Sequence, residues 1–282
     1  MKKMEDAPES EVDEKVNGRT YGFIDAYYLV ICQGCVHNCS YCAIKKAKGK
    51  VKSKPIPRIL SELKYGLELG YKHFMIIGDD CGSYGMDIGT DLAELLNVLQ
   101  LYDIRIHINY FEPGEFIKLY PKIQPGAFEI IDFINIPVQA TSRRILKLMN
   151  RKYNFDDIIT TVKKLKTRFS HIYLETHVIF GFPTETMKEF TGTFHLLDSF
   201  DAVICFYYTD RGNVASSRLS GKIAGSEMIA RTQKIIDHPQ FSWSRETAKY
   251  PTLLLVHSLE RETLFSSITR NCTCFGKSIA IS

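Results

Sequence analysis

The stretch Ala26-Tyr27-Tyr28-Leu29-Val30-Ile31-Cys32-Gln33-Gly34-Cys35-Val36-His37-Asn38-Cys39-Ser40-Tyr41-Cys42 couples a short apolar run to a polar loop carrying three cysteines. The run contains Val30 and Ile31 and ends before Gly34, the pattern of a buried strand. Three thiolates on one short loop can hold three irons of a cubane [4Fe–4S] cluster. The fourth iron then has no protein ligand and is open to a small molecule.

Other readings of these cysteines stand beside that one. Structural zinc wants a fourth ligand, and its cysteine pairs usually lie two to four residues apart. His37 would crowd such a site, because it sits between two of the ligands. A disulfide framework suits small secreted chains, and no secretory signal opens this sequence. Inert packing is the reading for Cys32 and Cys205, which lie in apolar runs, but it does not suit three cysteines in one polar loop.

The whole chain sets wider bounds. Its 282 residues, 45% of them hydrophobic, suffice for one large domain or one domain with a small appendage. A net charge of +4 is no strong nucleic-acid signature, though it does not exclude tRNA. Eight cysteines without a secretory segment suggest a reducing compartment, hence the cytoplasm. No apolar run reaches transmembrane length, so no membrane partner is expected.

Outward from the loop, apolar runs alternate with helical patterns. Strands are expected at Ala26 to Cys32, His73 to Ile77, Arg105 to Tyr110, Ile130 to Ile136, Ile172 to Phe180 and Ala202 to Tyr208. Helices are expected at Ile59 to Leu69, after Thr90 or Asp91, from Ser142 through Met149, at Phe155 to Phe169 and at Thr186 to Leu197. Six βα units make an α/β fold with a parallel sheet. Being fewer than eight, they imply an open partial (β/α)6 TIM-like barrel. Its chemistry belongs at the C-terminal strand ends, where the cysteine loop, Gly78, Gln139, Gly181 and Thr209 all fall. The basic stretch Lys45 to Lys54 reads first as a solvated loop, lacking aromatics for base stacking, and second as a surface near an anionic substrate. Leu253 to Val256 reads as one more strand, and Glu260 to Ile268 as a short helix or strand.

The segment Gly34 to Ile44 resembles the cluster loop of radical S-adenosylmethionine (SAM) enzymes. Among these it is most similar to the methylthiotransferases, which modify tRNA bases or a ribosomal-protein aspartate. The resemblance runs over roughly residues 22 to 235. It implies the radical SAM type of partial barrel, with Cys35, Cys39 and Cys42 as cluster ligands. Two cofactors follow, a [4Fe–4S] cluster and SAM, whose amine and carboxylate chelate the open iron. A flavodoxin- or ferredoxin-like electron donor is implied as partner.

The same resemblance implies cofactor contacts. Tyr41 is placed near adenine, and Gly78 and Asp79 near the cofactor's amine, in a strand end reading Gly78-Asp79-Asp80. Pro137-Val138-Gln139-Ala140-Thr141-Ser142, leading to Arg151, resembles another family segment and nominates Gln139 and Ser142. In Thr176 to Thr186 a family aspartate maps to His177; Glu175 shares its side of the strand, and either is a candidate for the ribose. Tyr208 to Asn213 nominates Arg211 for a carboxylate or the substrate. No catalytic residue is nominated.

The expected organisation is a flexible tail over 1–21, a core over 22–235 and an extension over 236–282. Methylthiotransferases carry an N-terminal domain with three further cysteines, and the tail before Tyr21 has none. The expected activity is therefore hydrogen abstraction from a peptide or small molecule by a 5′-deoxyadenosyl radical. The alternatives are a methylthiotransferase acting on tRNA or protein, its second cluster drawn from Cys272, Cys274 and a cysteine such as Cys81 or from a partner, and a non-enzymatic metal or iron–sulfur module.

Overall fold

The structure, a computed structural model, describes residues 26–242 and 252–256. The expected tail over 1–21, Glu260 to Ile268, Cys272 and Cys274 lie outside the described residues. In chain order the elements are β1 (Tyr27–Gln33), α1 (Ile44–Lys48), β2 (Lys52–Ser53), α2 (Ile56–Glu68), β3 (His73–Gly78), α3 (Leu92–Leu99), β4 (Arg105–Ile108), α4 (Pro113–Leu119) and α5 (Pro125–Glu129). There follow β5 (Ile131–Asn135), α6 (Arg143–Leu148), α7 (Phe155–Arg168), β6 (Tyr173–Phe180), α8 (Met187–Thr191), β7 (Ala202–Tyr207), α9 (Gly225–Ile236), β8 (Phe241–Ser242) and β9 (Thr252–Val256).

The strands form one sheet in the order β2-β1-β3-β4-β5-β6-β7-β9-β8. The six expected strands, β1 and β3 to β7, run parallel in sequence order. β9 extends them in parallel beside β7, and only β2 is antiparallel, on β1. Among the described residues no pairing joins β2 to β8, so the barrel stays open. Alternation along each strand divides its side chains between two environments. Leu29, Ile31, Phe74, Ile76, Leu174 and Val178 join the large core beneath the helices. The alternate residues of β6 and β7, such as Tyr173, Ala202 and Ile204, face the bore.

The outer helices close that core with ordinary signals. α7 is capped by Asn154, carries Asp156 and Asp157 in its first turn and Lys166 and Arg168 in its last, and so complements the helix dipole at both ends. α8 opens on a Thr186–Glu189 capping box. The helix expected over Thr186 to Leu197 is α only to Thr191 and continues as a 3₁₀ turn from Gly192 to Asp198. No described helix is long and apolar enough to cross a membrane.

Candidate active site at the C-terminal strand ends

The cysteine loop leaves the end of β1 through Gly34, whose φ of +77° is one that L side chains rarely adopt. A Cβ there would lie 2.3 Å from the Lys50 carbonyl oxygen, so only glycine fits. The loop is fastened from several directions. Asp79 Oδ2 accepts from the Gly34 amide at 2.8 Å, while Asp79 Oδ1 pairs with Lys48 at 2.8 Å. Ser40 donates its amide to Met149 O at 2.9 Å, and Ser216 donates to Ser40 O at 2.8 Å. Asn150 Nδ2 reaches Asn38 O at 2.7 Å. Lys45 and Lys46 turn back onto backbone carbonyls of Val36 and Asn213. Several lysines expected to be solvated are thus used to pin α1 and the loop.

Each of the three loop thiols meets one N–H donor. The His37 amide lies 3.4 Å from Cys35 Sγ and the Ile44 amide 3.4 Å from Cys42 Sγ. Arg151 Nη1 lies 3.4 Å from Cys39 Sγ. All three cysteines line one cavity of about 330 Å³, rimmed by Lys45, Lys46 and Arg218. Burial, then the Asp80 carboxylate beside it, pushes the Cys35 thiol up to about 12. Burial also raises Cys42. A cation bound to Cys35 and Cys42 would offset this desolvation of their thiolates. Three convergent sulfurs, donors aimed at them and cationic walls fit a cubane cluster.

Beneath the loop lies a charged network that the sequence did not disclose. Arg151, which follows the Pro137 to Ser142 segment, belongs to this network. Its side chain is only 6% exposed, with Nη2 3.2 Å from Glu112 Oε1 and 3.1 Å from Pro137 O. Asp80 accepts from the amides of Gly82 and Glu112, and its Oδ2 lies 3.2 Å from His37 Nε2. His37 faces this network, and its pKa is raised by Asp80 and Glu112 against the opposing effect of burial.

A second cavity of about 310 Å³ shares Cys42 with the first and brings together Tyr41, Gln139, His177 and Arg211. Gln139 stands at φ 64°. Its amide donates to His177 O at 2.8 Å and its carbonyl accepts from Ile179 at 2.9 Å, so the backbone holds the side chain at the strand end. His177 Nε2 lies 3.1 Å from Glu175 Oε1, which also accepts from Asn135 at 3.0 Å. Glu175 is fully buried under His177, so of the pair it is His177 that lines the cavity. Tyr110 and Phe206 meet the His177 ring edge-on, with centroids 5.8 and 4.9 Å away.

Gly78 and Asp79 line a third cavity, of about 390 Å³, with Asn109 and Tyr110. A Cβ on Gly78 would fall 2.7 Å from Cys32 Sγ, so this glycine admits a packed thiol. Ser142 lines none of these three cavities. It caps α6, accepting from Ile145 and donating to Glu189 at 2.7 Å. Sequence reasoning missed Asn109, whose buried Oδ1 has no hydrogen-bond partner among the described residues. Its place just after β4 was the available signal. Cys81, offered for a second cluster, is fully buried and donates to Asn109 O at 3.0 Å. Cys32 and Cys205 are buried, as expected of inert packing.

Comparisons with known proteins agree with this layout. The Thermotoga maritima threonylcarbamoyladenosine tRNA methylthiotransferase MtaB is 33% identical over 232 residues, 79% of this chain and 52% of that protein. The Chlamydia pneumoniae ribosomal protein uS12 methylthiotransferase RimO is 30% identical over 210 residues, 70% of this chain and 44% of that one. The chain thus spans about half the length of the curated relatives it matches. Among solved structures, Streptococcus suis SuiB bound to the precursor peptide SuiA aligns over 91% of this chain and 53% of its own, with a TM-score of 0.54 and 14% identity, a likeness of fold. The model of the Radical SAM superfamily matches residues 29–197, more than half of the chain. The chain belongs to the radical SAM superfamily, with a methylthiotransferase-like core.

Proposed function

We propose that this enzyme cleaves SAM at the strand-end site and uses the resulting radical to take a hydrogen atom from a substrate entering the open mouth of the barrel. The observation that carries this reading is the set of three thiols, each facing an N–H donor, on a cavity that shares Cys42 with its neighbour. Its cofactors are a [4Fe–4S] cluster, held by Cys35, Cys39 and Cys42, and SAM. When bound, the cluster supplies the electron that breaks a carbon–sulfur bond of SAM. The residues of the chain bind, orient and exclude water. Tyr41 offers a ring for the adenine beside Cys42. His177, steadied by Glu175, offers a ribose contact, and Gln139 lines the same cavity. Arg211 supplies a cation at the exposed edge for a carboxylate or the substrate. Gly78 and Asp79 are candidates for the amine, although each Asp79 oxygen already has a partner, the Gly34 amide or Lys48 at the end of α1. A flavodoxin- or ferredoxin-like protein would deliver the electron. Six unpaired described cysteines suit a reducing compartment, and the proposal places the chain in the cytoplasm.

For the substrate, two readings follow. Hydrogen abstraction from a peptide or small molecule needs only the core. Methylthio transfer to tRNA or protein is favoured by the relatives, whose names specify those reactions. Anaerobic reconstitution and reduction with SAM is the test: 5′-deoxyadenosine must form, and Cys39→Ala must abolish it. Mass spectrometry of tRNA and peptide substrates then separates the readings, since only methylthio transfer adds that group's mass. A chain that makes no 5′-deoxyadenosine would be a non-catalytic module instead.

A further inference from the structure

A second set of metal-ligand side chains occupies the opposite end of the sheet, where strands begin. β3 begins at His73, His107 is the third of the four residues of the adjacent β4, and Asp132 is the second residue of β5. Regular pairing would not bring all three together. The β4–β5 register slips: Ile106 pairs with Ile131 but His107 with Phe133, leaving Asp132 as an extra residue on β5. Such bulges re-aim side chains, and this one turns Asp132 toward the two histidines.

The distances suit a particular ion. His73 Nδ1 lies 3.3 Å from His107 Nε2 and 3.9 Å from Asp132 Oδ2, and one ligand atom from each residue lies within 4.8 Å of the others. Tetrahedral zinc with bonds near 2.0–2.1 Å sets its ligand atoms about 3.3–3.4 Å apart. The two imidazoles already stand at that separation, and the Asp132 carboxylate lies about half an ångström beyond it from His73. Two nitrogens and one oxygen suit zinc and similar borderline cations, whereas calcium and magnesium prefer oxygen alone. His107 is 5% exposed, but the His73 and Asp132 side chains are 35% and 29% exposed, which leaves an entry path and room for a fourth, water ligand.

We propose that His73, His107 and Asp132 form a zinc-type divalent metal site that ties β3, β4 and β5 together at the foot of the open barrel, away from the cysteine loop. Arg105 shares the carboxylate: its Nε lies 3.0 Å from both Asp132 oxygens, and it also donates to Glu129 O at 2.7 Å. A guanidinium so placed weakens binding of a cation by repulsion and by competing for the carboxylate. The affinity is therefore set by Arg105 as well as by the ligands.

The test is Zn²⁺ binding to the cluster-loaded protein by equilibrium dialysis, with X-ray absorption at the zinc edge to identify the ligands. About one zinc per chain is expected, with a nitrogen and oxygen shell, imidazole scattering and no sulfur. His73→Ala, at a partly exposed strand start, should weaken binding by roughly tenfold or more. Asp132→Asn should weaken it too, while Arg105→Gln should tighten it, an effect that a hydrogen-bonded cluster without metal would not show. Circular dichroism checks that each variant is folded. No retained zinc, zinc bound through sulfur, or equal affinity in wild type, His73→Ala and Asp132→Asn would overturn the proposal.

Discussion

Replacing Arg151 with Met would remove a guanidinium whose side chain is 6% exposed and whose contacts reach Glu112, Pro137 O and Cys39 Sγ. The Glu112 side chain is 8% exposed and would stay behind in the interior without its guanidinium, with His37 Nε2 4.0 Å away. Breaking a buried pair from one side costs about 3–5 kcal/mol. That is a large share of the roughly 5–15 kcal/mol available to a whole domain. Glu112→Gln is the partner variant, because its amide oxygen still accepts from the Glu115 amide and keeps the cap of α4. With both changes the stranded charge disappears. The double variant should therefore lose about 1–3 kcal/mol less than the sum of the singles. Urea unfolding of the four proteins without cluster supplies the cycle. Arg151→Met within about 0.5 kcal/mol of wild type, or an additive double variant, would refute the buried-pair account.

Further outcomes follow from the same geometry. Once loaded with cluster, Arg151→Met should show a lower midpoint potential in redox titration, having lost a donor to a ligating sulfur; an unchanged potential counts against that contact. Gly34→Ala must relieve a 2.3 Å approach to Lys50 O and should lower the iron retained per chain, so full iron content would be the contrary result. Ser142→Ala should cost about 1 kcal/mol of stability as a lost cap and leave SAM affinity unchanged, whereas His177→Ala should weaken SAM roughly tenfold with iron content intact; equilibrium dialysis of SAM reads both. Arg144, then Ser142 and Thr186, hold Glu189 down to about 2 from the usual 4.5. Its stabilising contribution is thus complete above pH 4.5 and is lost as the pH falls toward 2. Linkage caps it at about 3 kcal/mol, and solvent screening at the half-exposed Arg144 leaves roughly 1 kcal/mol. The stability gap between wild type and Glu189→Gln should close between pH 6 and pH 2, and a constant gap would contradict the pairing.

The six core strands were legible because strands buried on both faces of a parallel sheet read as compact apolar runs, as in Tyr173–Phe180 and Ala202–Tyr207. α9 was not, because two of its four buried positions are Arg231 and Thr232, which disguise a helical stripe. Arg231 is admitted there because Glu185 and Glu227 neutralise it. α1 buries no residue at all, so its lysines read as loop. For the candidate site, local spacing singled out the cysteines, a strand end singled out Gln139, and the family resemblance nominated His177 inside β6. Asp80, Glu112 and Arg151 act across the fold, as in the contact between Arg151 and Cys39, 112 positions apart. Such partners leave no local pattern. Ser142, nominated as a cofactor contact, caps the helix Arg143–Leu148, a role its position before that helix also signalled.

In the proposed site, three loop thiols hold a cubane whose remaining iron binds SAM. Electron–nuclear double resonance of the reduced, reconstituted protein with SAM labelled with ¹⁵N at its amine tests it most directly. The account predicts a resolved ¹⁵N coupling to the cluster that is absent without SAM. A cluster signal with no such coupling at saturating SAM would contradict it.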